Sequence, residues 1–151
     1  KTFTPHPAMS VVEKMVKEFG REGKKVSKGF YDYPENGEKH LWSDLTELYP
    51  TTDEQPSQQD LVDRLLYVQA NETAKCYEEN VVRTVADANI GSIFGWGFAP
   101  NQGGTLQFIN SVGVDKFVAR SRELAQKYGA RFEPAQILVA MAAKGEVFSD
   151  D

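Results

Sequence analysis

Apolar residues recur along this chain mostly at helical spacing. Between residues 7 and 19, Val11, Val12, Met15, Val16 and Phe19 mark one face of a 3.6-residue period. Pro7 suits the first turn of that helix and Gly20 its end. Residues 29–33 break the pattern: Gly29-Phe-Tyr-Asp-Tyr33 reads as a short extended aromatic segment, with Pro34 holding Tyr33 out of the α region. Glu35-Asn36-Gly37 is a turn signal. Residues 41–49 predict a two-turn helix with Leu41, Trp42, Leu45 and Leu48 on one side, stopped by Pro50. Residues 51–56 hold nothing apolar and read as an interdomain linker.

Ser57 opens a long helix over residues 58–79 with a capping pattern. Leu61, Leu65, Val68, Glu72 and Cys76 share one face, and Leu66, Ala70, Ala74 and Tyr77 the adjoining one. So wide an apolar arc predicts a central helix buried on more than one side. Glu72 lies on that arc, and a buried carboxylate is costly unless hydrogen-bonded. It is expected to cap a neighbouring helix or loop; as a general base it has no identifiable partner. Thr84 caps a helix over 84–94, residues 106–112 form a short one ended by Gly113, and Asp115 caps a longer one. In that longer helix Phe117, Val118, Ser121, Leu124, Ala125 and Tyr128 keep the amphipathic spacing up to Gly129. Pro134 opens the last helix, which carries Ile137, Leu138 and Met141 and closes at Gly145. The prediction is an all-α chain of about seven helices.

Residues 91–104 stand apart: five of the chain's 12 glycines fall there, interleaved with Phe94, Trp96 and Phe98. Glycine serves sharp bends and close approaches, and aromatics bury large areas. The stretch therefore predicts a tight, buried elbow between two helices, with Gly95, Trp96, Gly97, Phe98 and Pro100 as its structural residues. A dinucleotide loop needs a preceding strand and a third glycine where Pro100 stands, and lacks both.

The totals narrow the chemistry. At 151 residues the chain suits one ordinary domain, and a net charge of −5 argues against a nucleic-acid surface. No apolar run reaches bilayer length, and no secretory leader is visible, which points to a cytoplasmic protein. A chain opening on Lys1 reads as processed or as a piece of something longer. Cys76, the single cysteine, sits in an apolar helical pattern and reads as a buried structural thiol. His6 and His40 have no metal-ligand spacing around them and read as surface residues; no catalytic, cofactor or metal site is expected. Arg21, Lys24, Lys25 and Lys28 form a basic loop, ordinarily solvated; its sharper reading is a phosphate contact. The Asn71-Glu72-Thr73 sequon falls inside a predicted helix and is discounted.

Several segments carry a resemblance. Leu61-Val-Asp-Arg-Leu-Leu66, Gly95-Trp-Gly-Phe-Ala-Pro100 followed by Gly103-Gly104, and Phe132-Glu-Pro-Ala continuing to Met141-Ala-Ala-Lys-Gly-Glu146 resemble the C-terminal domain of 3-hydroxyacyl-CoA dehydrogenases. The likeness is to the second C-terminal repeat of the multifunctional fatty-acid oxidation enzymes, and Lys28-Gly-Phe-Tyr-Asp-Tyr-Pro34 resembles the motif closing the first. It implies an all-α fold of the 6-phosphogluconate-dehydrogenase C-terminal kind. Residues 1–50 would be the tail of one repeat, 51–56 a linker and 57–151 the second repeat. It also gives a cause to a faint echo between Pro7-Ala8, with Gly20 after it, and Pro134-Ala135, with Gly145 after it.

The resemblance further implies a parent enzyme that oxidises 3-hydroxyacyl-CoA with NAD in β-oxidation. Its His–Glu pair and cofactor site would lie in a dinucleotide domain absent from this chain. The partners implied are the remainder of that polypeptide and its acyl-CoA, whose phosphate the basic loop could meet. Where the family's substrate-proximal repeat carries Asn, this chain has Asp63, so the second repeat is expected to pack rather than react, with Asp63 at the surface or in a salt bridge. A repeat stripped of its neighbour exposes apolar surface, so self-association is expected. The competing readings are a free-standing helical interaction module and an enzyme in its own right using Glu72.

Overall fold

The computed structural model describes residue 6 and residues 8–150. Among these the chain is all-α apart from one two-stranded ribbon, with seven α-helices. It divides into two compact units, Lys1–Gln55 and Pro56–Asp151, parting within the stretch that holds nothing apolar.

In the first unit, α1 spans Ala8–Lys17; Pro7, read as its first turn, lies outside the described residues. The basic loop contains a 3₁₀ turn, Lys24–Val26. Strands β1 (Tyr31–Asp32) and β2 (His40–Leu41) pair antiparallel, Tyr31 opposite Leu41 and Asp32 opposite His40. Leu41 thus belongs to a strand, and the helix predicted from it shortens to α2, Leu45–Leu48. The backbone explains the change: the Trp42 N–H donates to the Phe30 carbonyl at 3.0 Å, continuing the ribbon one residue further.

Arg21 organises this unit and is buried, against its reading as part of a solvated loop. Its Nε donates to the Gly29 carbonyl at 2.6 Å and its Nη2 to Asp32 Oδ1 at 2.5 Å, while the guanidinium lies 4.3 Å over the Trp42 ring. Donors spread over a carbonyl and a carboxylate, with an aromatic face beneath, suit arginine's planar group. Met15 is the one apolar side chain described as buried here, so polar contacts hold much of the unit.

The second unit contains α3 (Gln58–Glu78), α4 (Val85–Trp96), α5 (Thr105–Val112), α6 (Val114–Tyr128) and α7 (Gln136–Lys144). Ser57 caps α3 by accepting from the Asp60 N–H at 3.1 Å, and Thr84 caps α4 by accepting from Asp87 at 3.0 Å. Asp115 makes no such cap; α6 starts one residue earlier, directly behind Gly113. The core is an aromatic stack: Tyr67 and Phe117 lie parallel with centroids 4.3 Å apart, and Phe108 meets both edge-on. Leu106, Ile109, Leu124 and Leu138 fill around it. On α6 the predicted face is the buried one, apart from half-buried Tyr128.

Two further expectations change in this unit. The buried face of α3 runs through Asp60, Asp63, Tyr67, Ala70, Asn71 and Ala74, while Leu61 and Leu65 are exposed and Val68 and Cys76 half-buried. Tyr67 enters the ring stack, and the polar members of the face meet partners on other elements, which hydrophobicity alone cannot register. The glycine stretch is also not a buried elbow. Helix α4 runs straight through Gly91 and Gly95 and ends at Gly97, whose φ of 76° favours glycine. Phe98 is buried, but Trp96 and Phe94 point outward, Phe94 with 86% of its surface open. Gly95, Gly97 and Pro100 are likewise exposed.

Candidate docking groove and its supporting clamps

An open groove of about 530 Å³ lies between α3 and α4 in the second unit. Gln69, Thr73 and Cys76 form one wall and Ala88, Gly91 and Gly95 the other. Trp96 spans one end, its Nε1–H donating to Gln69 Oε1 at 2.8 Å. The groove exists because α4 carries small residues where it faces α3, and packs instead on α5. Cys76 lines this groove half-buried rather than sitting in the core as its pattern predicts.

Side-chain clamps between helices fix the walls. Asn89 Oδ1 on α4 accepts from the N–H groups of Leu106 and Gln107 at 2.9 and 3.0 Å, and Ser92 Oγ accepts from Thr105 at 3.2 Å. These side chains cap α5, which has no cap of its own. The approach is close enough that a Cβ on Gly104 would lie 2.5 Å from the Asn89 Cα. Asp150 binds the N–H groups of Val85 and Ala86 at the start of α4, at 2.5 and 2.7 Å. Asn110 holds Phe148 by both backbone groups, at 2.9 and 3.0 Å.

At this level of α3 it is Asn71 that is buried, not Glu72. Asn71 Nδ2 donates to the Glu133 carbonyl at 2.7 Å, and its Oδ1 accepts from the Ala135 N–H at 2.8 Å. Glu72 is exposed and pairs with Lys75 at 3.3 Å. The capping role expected of Glu72 therefore falls to its neighbour, because a one-residue step turns the side chain about 100° around a helix of 3.6 residues per turn. Glu78, further along, accepts from the Ile137 N–H at 2.9 Å near the start of α7.

At its other end α3 is bolted to α6 by charge. Arg120 donates to Asp60 at 2.6 Å, to Asp63 at 2.7 Å and to Glu123 at 2.8 Å. Lys127 and the Tyr128 hydroxyl both reach Asp60 Oδ2, at 2.7 and 2.6 Å. Asp63 is thus salt-bridged but buried. Hydrogen bonds from Lys127, Tyr128 and Arg120 hold the Asp60 carboxyl well below the usual carboxylate range. The same contact with Asp60 raises Lys127 and Tyr128. Burial, followed by the Asp63 charge, pushes the Tyr67 phenol up to about 12.

The remaining candidates lie apart. Lys24, Lys25 and Lys28 are exposed in the first unit, whereas Arg21 is buried. His6 and His40 are exposed. Among the described residues no group of three His, Cys, Asp or Glu is placed to hold a metal ion, and no helix is long and apolar enough to cross a membrane. The glycine stretch does not fit a phosphate cradle, because a helix precedes it and Asn89 and Ser92 already occupy the N–H groups that open α5. No family model matches the chain.

Proposed function

We propose that this chain is the C-terminal helical region of an NAD-dependent 3-hydroxyacyl-CoA dehydrogenase of β-oxidation, acting in the cytoplasm as a packing and assembly element without chemistry of its own. One observation carries the scaffold part of this reading. In the second unit, buried Asp60, Asp63, Asn71, Thr73 and Ser92 are all engaged in ion pairs or hydrogen bonds within the unit. Polar groups spent in this way are not poised for proton or hydride transfer. The family assignment rests on the sequence motifs, which place NAD and the reacting residues in polypeptide outside this chain. Lys24, Lys25 and Lys28 are the residues of the basic loop free to meet a CoA phosphate; Arg21 holds its own unit together.

The coding sequence on the 5′ side of Lys1 tests the reading. An in-frame dinucleotide-binding fingerprint after a strand supports it, and a start codon with no such fingerprint overturns it. The purified chain is expected to leave NAD unreduced in the presence of 3-hydroxybutyryl-CoA. The open α3–α4 groove favours a second reading, a free-standing helical interaction module, which the start-codon outcome would support.

A further inference from the structure

We infer that Asn36-Gly37 is a self-modifying site, at which the folded chain converts asparagine to isoaspartate and aspartate through a cyclic imide. The dipeptide lies in the loop joining β1 to β2, where residues 34–40 are all exposed. Asparagine is a thermolabile residue, and its weakness is local. Its side-chain carbonyl carbon can close a five-atom ring with the amide nitrogen of the next residue. A hydrogen bond that engages that nitrogen, or a side chain that shields it, blocks the closure. Gly37 has neither protection. Among the described residues its N–H makes no hydrogen bond, and the Asn36 side chain has no partner. Gly37 also has a φ of 136°, a conformation that glycine adopts without steric cost. The loop thus requires, at position 37, the residue least able to shield its own nitrogen.

Every other asparagine is followed by a nitrogen that the fold already engages. Asn80 and Asn101 precede Val81 and Gln102, whose N–H groups donate to the Cys76 and Ala99 carbonyls at 2.9 and 3.0 Å. Asn71, Asn89 and Asn110 lie inside α3, α4 and α5 and precede Glu72, Ile90 and Ser111. There the helix takes the following N–H group. Their side-chain amides are tied as well, Asn71 to Glu133, Asn89 to Leu106 and Asn110 to Phe148. Ring closure at any of these positions would first have to break a hydrogen bond.

In the step itself the Gly37 nitrogen bonds to Asn36 Cγ and the Cγ–Nδ2 bond breaks. The proton from the Gly37 nitrogen leaves with the side-chain amide as ammonia. Water then opens the imide on either side. Opening at Cγ gives aspartate. Opening at the main-chain carbonyl gives isoaspartate, with the chain routed through Cβ and a new α-carboxylate. Water is the only co-reactant. The fold accommodates both products. The paired residues, Tyr31 with Leu41 and Asp32 with His40, lie outside the loop. Arg21 grips Gly29 and Asp32 without using residues 34–39. The new carboxylate joins Glu35 and Glu38 in an exposed segment, where water solvates it.

The inference does not depend on the dehydrogenase reading, which is decided upstream of Lys1. The full chain is aged at neutral pH, folded and in urea, and its peptides are mapped by mass. In the folded chain the Asn36 peptide is expected to convert at least tenfold faster than any other asparagine peptide, and within threefold of its own rate in urea. Methyl transfer from S-adenosylmethionine by an isoaspartyl carboxyl methyltransferase reads the isoaspartate directly. It is expected to label aged wild type and to lose that label in aged Asn36→Gln, whose imide needs a larger ring. The converted chain, separated by its added negative charge, is expected to keep the helical content of wild type. An Asn36 peptide that converts in urea but not in the folded chain would overturn the inference, since the loop would then shield the Gly37 nitrogen. So would conversion of another asparagine at an equal rate, or an aged Asn36→Gln labelled as strongly as wild type.

Discussion

The side-chain amide of Asn71 holds the backbone around Glu133 from 62 positions earlier in the sequence, giving a hydrogen bond to its carbonyl at 2.7 Å and receiving one from Ala135 at 2.8 Å. Asn71 is 1% exposed, so water cannot replace it. Asn71→Ala strands a buried donor and a buried acceptor at about 1–3 kcal/mol each. Urea unfolding is expected to show a loss of about 2–5 kcal/mol. Glu72→Gln, at the next position but exposed, is expected to stay within about 0.5 kcal/mol of wild type.

Two glycines near the groove should respond in opposite directions. Gly91→Ala adds a methyl to open helical surface, and the propensity gain of about 1 kcal/mol should appear as stabilisation of the fold. Gly104→Ala drives a Cβ into Asn89 at a φ of 104° and should displace the clamp that caps α5. Its thermal midpoint is expected to fall well below wild type.

Asp60 links stability to acid. Its folded pKa lies below the ordinary value of 3.8, so its contribution is present above that value and is lost as pH falls through and below it. The thermal midpoint of wild type should exceed that of Asp60→Asn at pH 7, and the gap should narrow steadily below about pH 4.

Tyr67 links stability to alkali with the opposite sign. Its folded pKa is raised to about 12 from 10.0, so its contribution is complete below 10 and is lost as pH rises through the folded value. Phenolate absorbance should show it among the last of the 6 tyrosines to ionise, with unfolding accompanying that step. Tyr67→Phe should remove that late phenolate signal while keeping the ring stacked on Phe117.

Arg21→Lys tests the first unit. Lysine keeps the charge but not the fork that spans Gly29, Asp32 and the Trp42 face. Amide exchange across β1 and β2 is expected to quicken while that of the second unit is unchanged.

Helix existence was legible in the residues. The α6 face, the caps at Ser57 and Thr84 and the stops at Gly129 and Gly145 all depend on contacts within a turn or two, which local order encodes. The face of α3 was not legible. Its apolar stripe suggested burial through Leu61 and Leu65, but Asp60 and Asp63 face inward because Arg120 and Lys127 wait about 60 positions away to neutralise them. The glycine-rich stretch misled for a related reason. Glycine signals close approach without naming what approaches, and only in three dimensions does Gly104 meet Asn89 while Gly91 meets nothing.

The sequence by itself determined that this protein is helical, where most of its helices start and stop, and that residues 51–56 hold nothing apolar to bury. Tertiary structure alone decided which polar groups are buried and which apolar ones face solvent. A buried amide or carboxylate is tolerated only where partners from elsewhere in the chain satisfy it, and no local pattern reports those partners.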